Sequence, residues 1–157
     1  MSDLPFARVL HRAGEWSGPA EVCALDYEGR FLRRKRLVTE TGRAFVLDLA
    51  KTTSLEHGDA LELEGGGLVE IRAAEEDVLE VRGPDLARLA WHIGNRHTPC
   101  QVEEDHLVIR RDPVIAHMLG HLGAVLREAR APFTPEGGAY GHGRTHAHDH
   151  GATAHEH

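Results

Sequence analysis

The sequence predicts an α+β protein in three parts. These are a small antiparallel β domain at residues 1–74, a ferredoxin-like βαββαβ domain at 75–136 and a disordered histidine-rich tail at 137–157. Three observations predict it. The first half is a series of short runs rich in Val, Leu and Phe, separated by turn residues. The second half intersperses such runs with two segments of helical periodicity. The last sixteen residues hold six of the 13 histidines and no branched aliphatic residue.

In the first half, strands are expected at Pro5–His11, Glu21–Leu25, Phe31–Val38, Ala44–Asp48, Ala60–Leu63 and Leu68–Ala73. Turn signals lie between them at Gly14, Gly18-Pro19, Glu28-Gly29, Thr41-Gly42, His57-Gly58-Asp59 and Gly65-Gly66-Gly67. The run Arg33-Arg34-Lys35-Arg36 places basic side chains on both faces of its strand. It reads as a solvated strand partly paired with acids, or as a docking strip for an acidic partner.

The character changes near Ala73–Asp77. Val78–Val81 is expected as a strand, and Pro84 sits where a helix would start. Leu86, Leu89, Ala90 and Ile93 recur at helical spacing, and Gly94 can end that helix. Thr98–Val102 and Leu107–Arg110 form a strand pair around the turn Glu103–His106. Asp112 is a good N-cap with Pro113 at the first helical position. Val114, Ile115, Met118, Leu119 and Leu122 give the second helix its apolar face, Gly123 closes it, and Ala124–Ala131 supplies the last strand. Both domains are near the lower size limit for independent stability, which a homodimer would relieve.

Composition excludes several functions. A net charge of −7 argues against a general nucleic-acid binder. Two cysteines cannot build a disulfide framework or an all-cysteine zinc site in one chain. No apolar run reaches the roughly 18–20 residues that span a bilayer. The start, Met-Ser-Asp-Leu-Pro-Phe, does not read as a secretory signal. The expectation is a soluble, cytoplasmic protein.

The histidines point to metal. His142, His146, His148, His150, His155 and His157 alternate with Ala, Asp, Gly and Glu. An affinity tag is usually an unbroken run, so a metal-collecting tail is the preferred reading; such neutral imidazoles chelate borderline divalent ions. His97 follows a helix end, where Gly94-Asn95 can adopt a left-handed turn. From spacing alone it reads as a surface or capping residue more readily than as a ligand. His117 and His121 share one helix face and could chelate, or could simply be solvated. His92 has the same ambiguity. His11, His57 and His106 read as surface residues. Cys100, placed on a strand at an odd separation from His97, reads as packed rather than as a ligand, and Cys23 reads as core.

Residues 92–99 resemble the His-x-Gly-Asn-Arg-His-x-Pro segment of the urease accessory nickel chaperone family, UreE. Leu37–Asp59, Ala74–Val81, Met118–Gly123 and Pro132–Tyr140 resemble further segments of that family, in the same order, so the resemblance covers nearly the whole chain. It implies a peptide-binding-like β domain, then a ferredoxin-like metal-binding domain that dimerises. It maps the principal metal-binding histidine onto His97, facing its copy across the dimer, with tail histidines completing the coordination. Relatives with histidines before the second helix differ here, because this chain has Arg110-Arg111-Asp112-Pro113.

The resemblance implies a non-enzyme. It would bind Ni2+ as cargo, with Zn2+ or Cu2+ as competitors, and deliver it to apo-urease with an accessory GTPase. The chain has no phosphate-binding Gly-x-x-x-x-Gly-Lys-Ser/Thr loop of its own. The alternative is a general nickel or zinc storage or buffering protein, which the tail alone supports equally; neighbouring urease genes would favour delivery. A metal-dependent hydrolase would need a fixed ligand set and a general base, and no His-Glu-x-x-His motif is present. An RNA-recognition module would need aromatic residues on the second sheet, and Thr98–Arg110 has none.

Overall fold

The computed structural model describes residues 3–137. The chain divides after Ala74 into two compact units.

The first unit holds β1 (Phe6–His11), β2 (Glu21–Leu25), a 3-10 turn (Glu28–Arg30), β3 (Phe31–Val38), β4 (Ala44–Ser54), β5 (Ala60–Leu63) and β6 (Leu68–Ala73). They form one six-stranded sheet in the order β2-β6-β5-β1-β4-β3. The sheet is mixed rather than antiparallel as the sequence predicts. β1 runs parallel to β4, and β2 runs parallel to β6. Those pairings join strands distant in the chain, which local hydrophobic patterning does not encode. β4 also continues past Asp48 to Ser54, because Thr53 and Ser54 pair with Leu32 and Phe31 across a register shift. Alternate residues of the strands turn inward, and Phe45, Leu47, Leu61, Leu63, Val69 and Ile71 are buried together.

Arg34 of the basic run pairs with Asp48 at 3.2 Å, and Arg33 donates to the Leu49 carbonyl at 3.3 Å. Buried Asp59 accepts from Arg12, the Ala13 amide and the Glu56 amide, which ties the loop after β1 to the loop before β5.

The second unit holds β7 (Glu75–Arg82), α1 (Leu86–Asn95), β8 (Gln101–Val102), β9 (Leu107–Arg110), α2 (Pro113–His121) and β10 (Val125–Pro132). The sheet order β10-β7-β9-β8, antiparallel throughout, is that of the ferredoxin-like split βαβ arrangement. Ile93 and Leu89 of α1 and Ile115 and Leu119 of α2 are buried with Leu79, Val81, Leu107 and Ile109 of the sheet. Asp112 caps α2 through its Oδ1, which accepts the Val114 and Ile115 amides at 2.9 and 3.2 Å, with Pro113 next in the chain. α1 starts two residues later than Pro84, at Leu86; Asp85 caps it, its carboxylate accepting the Arg88 amide at 3.1 Å.

Candidate metal centre

The segment after α1 differs in one respect from the expected turn. Gly94 and Asn95 are helical, and the left-handed residue is His97 itself, at φ 58°. The hydrogen bonds explain the displacement. The His97 amide donates to the Gly94 carbonyl at 2.9 Å, and the Thr98 amide donates to the Ile93 carbonyl at 3.3 Å. That pair of bonds is a Schellman motif, and it requires a left-handed residue two positions after the last helical one. Glycine usually stands there. Histidine tolerates the region better than most residues, at a cost of about 1 kcal/mol. Among the described residues His97 alone is a non-glycine with positive φ. Strain of this kind collects at functional positions.

The motif projects His97 from the helix end. The side chain is exposed and makes no hydrogen bond or ion pair among the described residues. It borders an open cleft of about 750 Å³. Arg96, Arg110 and Arg111 line that cleft opposite in sign to Glu76, Asp77 and Asp112. Several of these charges are already engaged: Asp77 pairs with Arg130 at 2.9 Å, Arg111 with Glu128 at 3.3 Å, and Asp112 caps α2. Nowhere among the described residues do three His, Cys, Asp or Glu side chains converge on one point. His97 is therefore one donor without a local set.

The chain returns to this region after β10. Phe133 is fully buried, the Thr134 amide donates to Gln101 Oε1 at 2.9 Å, and the Glu136 amide donates to the Cys100 carbonyl at 2.9 Å. Residues 133–136 are thus fastened three to four residues from His97. Sequence reasoning missed this docking, because neither bond has a local signature.

Residues 6–74 match the model of the UreE urease accessory protein N-terminal domain, and residues 76–157 match that of its C-terminal domain. The chain belongs to the UreE family. It is 64% identical to the urease accessory protein UreE of Ruegeria pomeroyi over 148 residues, covering 94% of this chain and 99% of that protein. It is 63% identical to the UreE of Cereibacter sphaeroides, covering 96% and 83%, and 58% identical to that of Rhodobacter capsulatus, covering 92% of each.

The remaining candidates in this UreE chain separate by environment. Cys100 precedes β8 rather than lying on a strand, so face alternation does not decide its orientation. Packing does: the residue lies against the second core, and burial, with the nearby Glu136 carboxylate, pushes its thiol up to about 11. Near neutral pH this packing holds it as the thiol. Cys23 is core, and burial raises its pKa as well. His92 meets Trp91 edge-on at 5.0 Å. His11 bonds Glu62 at 3.0 Å, His106 bonds Asp105 at 2.7 Å, and His57 Nδ1 accepts the Ala73 amide at 3.0 Å. These three histidines are engaged locally. The tail candidates His142, His146, His148, His150, His155 and His157, and the disorder expected for them, lie outside the described residues.

Proposed function

We propose that this protein is a urease accessory nickel chaperone, a cytoplasmic homodimer that binds Ni2+ and delivers it to apo-urease together with an accessory GTPase. The observation that carries the reading is His97. An exposed imidazole without a local partner is held at a strained helix end, in a chain of the UreE family. The relatives are urease accessory proteins, and this supplies the process. No helix among the described residues is long and apolar enough to cross a membrane.

The chemistry follows from the shortage of donors. One imidazole per chain cannot hold an ion firmly, and two from facing protomers leave several coordination positions open. Tail histidines can fill them. Glu136 is fastened at Cys100, which is at most about 11 Å along the chain from His97. His142 is six residues beyond Glu136, a span of up to about 20 Å. A ligand set assembled from a fixed imidazole and tethered ones can be taken apart stepwise, which suits cargo rather than a resident cofactor. Trp91, Val114 and Val125 of the second unit are 63, 75 and 67% exposed, large apolar side chains of the kind that a second protomer covers.

Reconstituted urease activation tests delivery. With apo-urease, the GTPase and limiting Ni2+, this protein should raise the active fraction. A fall in activation, as expected of a competing sink, would favour storage or buffering instead.

A further inference from the structure

His117 and His121 have no part in the His97 reading, yet their geometry is that of a chelate. They lie one turn apart on α2, both exposed, on the opposite side from buried Ile115 and Leu119. Their Nε2 atoms are 3.3 Å apart, and their rings meet edge-to-face with centroids 4.7 Å apart. Two imidazole nitrogens each about 2.1 Å from one ion stand about 3.0 Å apart at a right angle and about 3.4 Å apart at a tetrahedral angle. The observed separation falls between these limits. The pair needs little rearrangement to admit an ion between its nitrogens.

We infer that His117 and His121 form a second divalent-metal site on the outer face of α2, independent of His97. In the neutral pair one Nε2–H donates to the other Nε2. On binding, the donating ring becomes its Nδ1–H tautomer, so both Nε2 lone pairs face the ion with no net proton released. Imidazole donors select Ni2+, Cu2+ or Zn2+ over Mg2+ and Ca2+, and Cu2+ should bind most tightly. Water completes the coordination, since the face is open. Both donors come from one rigid helix, so the second bond forms intramolecularly and the site works as a unit.

The test is nuclear magnetic resonance of the full-length, 15N-labelled chain titrated with Cu2+ through several equivalents. Paramagnetic broadening should appear at the amides of residues 117–122. It should persist in His97→Ala and vanish in His117→Gln/His121→Gln. Each single substitution should weaken occupancy at α2 by at least ~10-fold, nearly as much as the double. The glutamines keep the exposed face polar, and an otherwise unchanged spectrum verifies the fold of each variant. Broadening at α2 that survives the double substitution would overturn the inference, because the ion would be held by other donors. Two single losses that merely add would overturn it too, since independent imidazoles do not chelate.

Discussion

His97 and Gly123 occupy the same position of the same helix-ending motif. Gly123 follows α2 at φ 84°, with its amide on the Gly120 carbonyl at 3.1 Å and the Ala124 amide on the Leu119 carbonyl at 3.1 Å. His97 follows α1 at φ 58° with the corresponding pair of bonds. One helix ends on the residue the backbone prefers, and the other ends on an imidazole.

The comparison predicts a trade between stability and binding. His97→Gly should raise the unfolding free energy by about 0.5–1 kcal/mol while weakening Ni2+ binding. His97→Ala should weaken binding without that gain, because alanine keeps the Cβ that the left-handed region disfavours. Urea denaturation of both variants checks this. A glycine variant no more stable than the alanine variant would show that the cap carries no strain.

Glu80 predicts the acid limb of stability. Hydrogen bonds from Arg127 and then Arg82 pull its pKa down from about 4.5 to about 2. A depressed carboxylate contributes stability that is present above the ordinary value and lost as pH falls through the folded one. The wild type should therefore lose stability between about pH 4.5 and about pH 2, and Glu80→Gln should flatten that part of the profile. Thermal unfolding across that range is the measurement.

Cys100 should be a bystander. Its thiol is held protonated by burial, so Cys100→Ser should leave Ni2+ affinity within about twofold at pH 7.5. A loss beyond tenfold would mean that metal binding draws the thiolate out of its packing.

The tail should add metal equivalents without adding fold. A chain ending at Gly138 should keep the thermal stability of the full chain and bind fewer Ni2+ ions. In the full chain, apparent affinity should fall between about pH 7.5 and about pH 5.5, as protons compete for tail imidazoles. Calorimetric titration of both chains at several pH values resolves the two effects, and a flat pH profile would point to other ligands.

Much of the fold was legible because its signals are local. Turn glycines bounded the short strands, and Asp112-Pro113 placed the start of α2 to the residue. Other features depend on distant chain. The parallel pairing of β1 with β4 and the extension of β4 to Ser54 are set by partners, not by patterning. The turn after α1 shows the same limit: Gly94-Asn95 has the left-handed propensity, but the hydrogen-bond register of the helix moved that conformation to His97. For the site, spacing gave His97 no more weight than a surface residue. Its weight came from the surrounding His-x-Gly-Asn-Arg-His-x-Pro segment. The docking of residues 133–136 beside Cys100 had no signal in either.

The central claim is that His97 anchors nickel across a dimer. Isothermal titration of Ni2+ into the full-length wild type and His97→Ala, with molar mass measured by light scattering on the same samples, tests it most directly. Both should be dimers. One tight ion per wild-type dimer should be lost or weakened at least ~100-fold in the variant, a drop of about 2.7 kcal/mol. Tight binding of that ion unchanged in His97→Ala would contradict it.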